Sequence, residues 1–480
     1  MSLDTLETFP TGPERMGLAA LGRASLVYAL GGLAYKGVAL LTIPLLARLL
    51  SPGQLGLLDL AAVLASIVGM VAVGGTDQAV AFHEPRDEEP GRLWGSTITI
   101  VATAAAAIAG LVVLLRAPLA AILTGDAANA PIVAAAGLYG GVIALSATAL
   151  NAVRLRGSPR AYALSSFLIV SAEMAVALSV AWLADGPVAL MVLGWGFGAA
   201  VILLPLLVRF LPRLHVPQWG TIRHLVTYGA PLVPAAIAWL VGDALIRATL
   251  AREAELSSLG EYGIAYRVAS VLGLVVTGFG VAWYPYLYRT HSTEVVPRAS
   301  HALSVLLLAL ATLGVVLTAF APEIIAIVAG DAYTNARHAI APLVGGMIAL
   351  GAFVLVGAVV GASGSTRRIA IAAVLGAAVQ VAAAVLVVPA FGLVGAAVAS
   401  LAGYAFAASL LIATEVGVLR RSISTTVVVI AATVAGLVAA SVLSESPTVL
   451  RGFFAIAFIL LGAGIALRIT RGKGLAGVLQ

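Results

Sequence analysis

Apolar runs of about 20 residues, long enough to cross a bilayer as a helix, recur along this chain from residue 24 to residue 468 with no polar domain between them. Hydrocarbon offers the backbone no hydrogen-bond partners, so only helices and closed β-barrels can span it. The runs are longer than barrel strands and lack their two-residue alternation. The fold class they predict is therefore an all-α polytopic membrane protein. Composition agrees, with 61% of the 480 residues hydrophobic and 10% charged, where a soluble domain has roughly 25% charged; the mean hydropathy is +1.08.

Fourteen spans are predicted, at 24–47, 54–76, 93–115, 130–153, 160–184, 187–211, 224–249, 259–284, 299–320, 337–362, 368–388, 392–416, 424–444 and 448–468. Their orientation follows from the retention of Lys and Arg in cytoplasmic loops. With the N-terminus inside, nineteen of the 27 basic residues fall on the inner side, and only Arg48, Arg116, Arg247, Arg252, Arg337 and Arg451 on the outer. Lys36 and Arg267 lie within spans. An even number of spans then puts both termini in the cytoplasm. The net charge of +6 is explained by arginines scattered singly over short loops, so no nucleic-acid partner is expected. The first 23 residues carry Asp4, Glu7, Glu14, Arg15 and Arg23 without a cleavage pattern, and the first helix is expected to be retained.

Signatures of soluble chemistry are missing from the sequence. Gly194, Gly196 and Gly198 in GWGFG lie inside a span with no preceding strand, where small residues serve close helix packing rather than a dinucleotide. The six histidines are scattered without metal-ligand spacing, and there is no cysteine. No catalytic cluster, metal site or cofactor is expected. The two longest outer connections, 116–129 and 321–336, contain APLAAILTGD and APEIIAIVAGD, each with a proline, an apolar stretch and Gly-Asp. They are expected to form short interfacial helices, too small for the catalytic domain of a glycan-assembling enzyme. The chain is read as a non-enzyme.

A weak internal repeat is visible at an offset of 204 residues, which superposes Leu55-Gly56 on Leu259-Gly260, Ala61 on Ala265, Ser66 on Ser270 and Gly69 on Gly273. It divides the chain into a cytoplasmic N-terminal segment (1–23), an N-lobe of six helices (24–211), a cytoplasmic inter-lobe linker (212–223), a C-lobe of six helices (224–416), and two additional helices with a cytoplasmic tail (417–480). Two six-helix lobes around a central cavity are the expected architecture, since transporters built from repeats bind substrate at the repeat interface.

Ionisable residues within spans are the natural functional candidates, because each costs at least about 2.5–3.5 kcal/mol at mid-bilayer. Lys36 lies mid-span in the first helix and Arg267 in the eighth. Asp59, Glu173, Asp243 and Arg247 are candidate counter-ions or ion-coupling groups, with structural pairing as the other reading, especially for Asp243 and Arg247 one helical turn apart. Tyr35, Trp239, Tyr262 and Tyr266 lie near these charges and are candidates to stack on sugar rings; interfacial anchoring and helix packing are the alternatives. Pro44, Pro231 and Pro234 are expected to bend or break the first and seventh spans.

The segment PLLARLLSPGQLGLLDLAAVLASIVGMVAVGGTDQAV (44–80) resembles the first-repeat signature of bacterial polysaccharide transporters, the Wzx-type oligosaccharide-lipid flippases of the superfamily that also holds multidrug exporters and lipid II flippases. YGAPLVPAAIAWLVGDALIRATL (228–250), LGEYGIAYRVAS (259–270) and VPAFGLVGAAVASLAGY (388–404) are similar to it in the same order and spacing. The family often places arginine directly after the second-repeat aspartate; here Ala244 follows Asp243 and the arginine is Arg247. The resemblance implies a secondary active flippase of the bacterial inner membrane. Such a protein moves an undecaprenyl-diphosphate-linked oligosaccharide outward by alternating access, coupled to an H+ or Na+ gradient, with a polysaccharide polymerase and other export proteins as possible partners. Lys36 and Arg267 then become candidates for the diphosphate, which arginine grips in bidentate fashion and lysine as a point charge. The rival readings are a cation-coupled multidrug exporter and a non-transport membrane partner of glycan assembly.

Overall fold

A computed structural model describes residues 38, 42, 44–84, 90–183, 187–210, 215–230, 233–277, 279, 292–362, 366–414 and 423–471. Every regular element among them is helical. Among the described residues eight helices are long and apolar enough to cross a membrane, and the bent pair Leu303–Ala319 and Ala321–Val328 makes a ninth if it counts as one span. The all-α, multi-span class read from the sequence is the observed one. The chain divides into two compact units, Met1–Ala244 and Leu245–Gln480.

The first unit holds α1 (Pro52–Val73), α2 (Thr76–His83), α3 (Pro90–Leu114), α4 (Arg116–Thr124), α5 (Ala130–Arg156), α6 (Pro159–Leu183), α7 (Val188–Phe210) and α8 (Trp219–Gly229). Ser51 starts α1 with a capping box: its hydroxyl accepts from the Gln54 amide and the Gln54 side chain accepts from the Ser51 amide, which satisfies two donors that a helix start leaves open. α5 is the central post, packed against α1, α3 and α7. It crosses α1 where a Cβ on Gly140 would meet Val68 Cβ at 2.5 Å, so glycine sets the interaxial distance there, as small residues do in membrane bundles.

The second half of the predicted linker is folded onto this unit. The His215 amide donates to the Gly91 carbonyl at 3.1 Å, the Gln218 amide to Ser96 Oγ at 3.4 Å, and Leu225 of α8 joins a buried cluster with Val80, Leu93 and Trp94.

α9 (Val233–Glu253) runs through the division between the units. The second unit continues with α10 (Leu256–Ala269), α11 (Ser292–Ala319), α12 (Ala321–Val328), a 3-10 turn (Asp331–Ala336), α13 (Arg337–Ala362), α14 (Thr366–Thr414), α15 (Ile423–Leu443) and α16 (Thr448–Arg471). The predicted spans 368–388 and 392–416 are the two helices of α14, which meet across a kink at Gly392, whose φ is +49°. Within the predicted seventh span α8 ends at Gly229 and α9 begins at Val233; Pro231 lies outside the described residues.

Both predicted interfacial segments are helical, as α4 and α12, and each repeats one sequence of events. A long helix breaks, a short helix carrying a proline follows, and a glycine at positive φ leads out of it: Gly125 at φ +75° caps α4, and Gly330 at φ +80° follows the Ala329 cap of α12. An aspartate then opens a 3-10 turn into the next long helix.

Candidate functional site

In the first unit Glu173 projects from α6 into the interior and is 5% exposed. Tyr139 of α5 donates its hydroxyl to Glu173 Oε1 at 3.0 Å, and the Tyr139 ring lies 5.6 Å from that of Trp195 on α7. The fit depends on GWGFG: a Cβ on Gly198 would meet the Ala172 carbonyl oxygen at 2.6 Å and the Glu173 amide nitrogen at 2.8 Å. Those glycines are packing residues, as their position inside a span predicted. Asp59 on α1 and Asp243 on α9 are also buried, each 7% exposed, and Trp239 on α9 is half-buried.

Sequence reading missed three polar groups at this level of burial. Ser146 Oγ, Ser166 Oγ and Trp195 Nε1 are buried without a hydrogen-bond partner among the described residues. Buried polar atoms are normally paired, with protein or with ordered water. The signal that finds Ser166 is its spacing of seven from Glu173, which puts both on one face of α6.

In the second unit the candidates Arg247, Tyr262 and Tyr266 converge. Arg247 is 2% exposed, and its guanidinium carbon sits 5.2 Å from the centroid of Tyr262 and 5.0 Å from that of Tyr266. Two tyrosines four residues apart lie on one face of α10, and a desolvated guanidinium over such rings is held by their quadrupoles. Tyr262 is fully buried and its hydroxyl shares a 2.8 Å hydrogen bond with Ser400 on α14. Its ring is enclosed by protein, whereas Tyr266 and Arg267 are half-buried. Beside them Glu261 accepts from Asn335 Nδ2 at 3.0 Å, and the Arg267 charge acts on the buried Tyr333 hydroxyl. Lys36 and Tyr35 lie outside the described residues. No group of acids and histidines suited to a metal ion occurs among the described residues.

The second unit also carries an apolar groove of about 870 Å³. Leu307 of α11, Ile348 of α13, Leu401 and Ile412 of α14, and Leu437 of α15 give it a hydrocarbon lining. Such a surface matches an alkyl or prenyl chain and nothing ionic.

Buried charges on long apolar helices, a bent helix pair and an apolar groove define a polytopic helical membrane protein. The chain belongs to the polysaccharide biosynthesis protein family, whose model matches residues 21–291. Its fold is that of the MOP superfamily. The lipid II flippase MurJ, in an inward-closed conformation, is similar over 92% of this chain and 99% of its own, at 12% identity and a TM-score of 0.71. A MOP superfamily transporter from Pyrococcus furiosus covers 85% of this chain and 95% of its own, at 14% identity and a TM-score of 0.57. The Vibrio cholerae MATE transporter VcmN in its bent form covers 83% and 97%, at 18% identity and a TM-score of 0.56. No curated protein sequence matches the chain.

Proposed function

We propose that this protein is a secondary active flippase, carrying a prenyl-diphosphate-linked oligosaccharide from the inner to the outer leaflet of the bacterial cytoplasmic membrane for surface polysaccharide assembly. The observation that carries the lipid-linked part of this reading is the apolar groove of the second unit, of about 870 Å³, a site for the prenyl chain on a protein whose family makes polysaccharide. A carrier of such a molecule also needs cations for the diphosphate and ring surfaces for the sugar. Lys36 and Arg267 fill the first role. Trp239, Tyr266 and Tyr35 fill the second, while Tyr262 takes part by holding Arg247. Asp59, Glu173 and Asp243 are the groups that exchange H+ or Na+ during alternating access. The reading includes fourteen helices, two six-helix lobes at 24–211 and 224–416, two additional C-terminal helices, and both termini in the cytoplasm. The lipid-linked substrate named for MurJ supports it over a multidrug exporter, as does the pair of basic residues within spans.

Lys36→Ala is expected to abolish glycan export at unchanged protein level, and Lys36→Arg to retain part of it, since both cations neutralise phosphate but differ in shape. Transfer of a fluorescent prenyl-diphosphate sugar across reconstituted liposomes measures this directly. Equal transfer by the alanine variant refutes the phosphate role of Lys36, and transfer of drugs instead of the sugar refutes the flippase.

A further inference from the structure

The bend between α11 and α12 is held by a residue from the far end of the chain. α11 stops at Ala319 and α12 starts at Ala321, with the two axes 71° apart. A break of this kind leaves the last carbonyls of one helix and the first amides of the next without intrahelical partners. Arg451, near the start of α16, reaches into it and is 6% exposed. Its Nη1 donates to the Ala319 carbonyl at 3.3 Å and to Glu323 Oε2 at 2.7 Å. Its Nη2 donates to Glu323 Oε1 at 2.5 Å and to Thr448 Oγ1 at 3.1 Å. The cation thus meets the carbonyl end of α11, and the carboxylate lies in the first turn of α12, each at the helix end whose dipole favours it. The paired fork adds geometric restraint to the charge.

α16 packs on α11 and on α15, and α15 supplies Thr433, Val434, Leu437, Val438, Ser441 and Val442 to the wall of the apolar groove. We propose that Arg451 and Glu323 are a positioning pair: the latch that fixes α15 and α16 against the bent span, so that the groove wall stands at the spacing a prenyl chain requires. This rests on the reading of the groove as the lipid-chain site. The two C-terminal helices then serve transport rather than merely adding to the bundle, and the pair acts through α15 without touching the substrate.

The chain has no cysteine, so Ala440→Cys on α15, fully buried, makes a single reporter for N-ethylmaleimide. With Arg451 intact, labelling is expected to be slow. Arg451→Met strands the Glu323 carboxylate and is expected to speed labelling at least about tenfold, because breaking one side of a desolvated pair is far costlier than losing a surface contact. Transfer of the fluorescent prenyl-diphosphate sugar in liposomes is expected to fall in parallel, and Arg451→Lys to recover part of both. Glu323→Gln provides a second route to the same loosening if Arg451→Met does not fold. Unchanged labelling in the variants overturns the latch, and faster labelling with undiminished transfer overturns its role in transport. If the unmutated protein labels slowly but moves no prenyl-diphosphate sugar, the flippase reading fails, and the labelling rates alone decide the latch.

Discussion

At the scale of single residues, the sequence identifies which side chains are out of place in hydrocarbon, and the structure shows what occupies them. Glu173 is legible as a mid-span acid, but its partner is not, because Tyr139 lies on another helix and no spacing rule connects the two. Tyr139→Phe leaves the carboxyl without its donor at 3.0 Å and is expected to cost about 1–3 kcal/mol, the penalty of an unmade buried hydrogen bond. Thermal unfolding of the purified protein in detergent measures it, and an unchanged midpoint sinks the claim that the bond matters. Arg247 teaches the complementary lesson. Its spacing from Asp243 suggests a simple helical ion pair, whereas the structure adds two tyrosine faces on α10. Sequence reading makes Tyr262 a candidate for sugar stacking, because it is an aromatic near charges, with helix packing as the alternative. The buried hydrogen bond to Ser400 depends on a contact 138 residues away along the chain, which no local pattern encodes. Arg247→Lys keeps the charge and loses the planar stacking. A lower unfolding midpoint for Arg247→Lys than for the parent is the expected result.

At the scale of elements, hydropathy reads helices well and their interruptions less well. The Pro-apolar-Gly-Asp resemblance between 116–129 and 321–336 is visible in the sequence, and it becomes α4 and α12, each followed by a glycine at positive φ on the way into the 3-10 turn. Gly125 at φ +75° adopts the left-handed conformation that costs other residues roughly 1–2 kcal/mol, and Gly330 at φ +80° and ψ −177° sits in a region that is essentially glycine's alone, at a cost of order 1–3 kcal/mol to others. Gly330→Ala is therefore expected to lower stability even though nothing lies within 4 Å of the position a Cβ would take. Gly110, also with open space but without positive φ, is the internal control, and Gly110→Ala should be neutral or slightly stabilising by helix propensity. Equal midpoints for the two variants in a thermal melt would remove the backbone argument. In α14 the boundary is legible: Pro389 and Gly392 mark a turn in the sequence between the spans 368–388 and 392–416, and the backbone kinks at Gly392, where two helices meet.

At the scale of the whole molecule, the asymmetry of arginine is the strongest sequence argument and the one most exposed to test. Inner and outer sides alternate with every span, so one span too many or too few inverts the assigned side of every arginine after the error. The strong inner bias of Lys and Arg survives only if the parity of the proposed fourteen holds along the whole chain. That parity puts residue 480 and the segment around His215 on the cytoplasmic side, and Asp126 and Asp331 on the other. With no native cysteine, single substitutions at His215, Asp126, Asp331 and Gln480 can be probed in intact cells with a membrane-impermeant maleimide. Asp126 and Asp331, both exposed, are expected to label from outside, and His215 and Gln480 only after the membrane is opened. The decisive comparison is between Asp331 and Gln480, because the last five proposed spans lie between them. Labelling of both from the same side means an even number of crossings there in place of the proposed five, and one of those five helices is then not a full span. If that helix is α16, the latch at Arg451 holds a re-entrant or surface segment against α12, and the groove wall formed by α15 lacks a membrane-spanning partner.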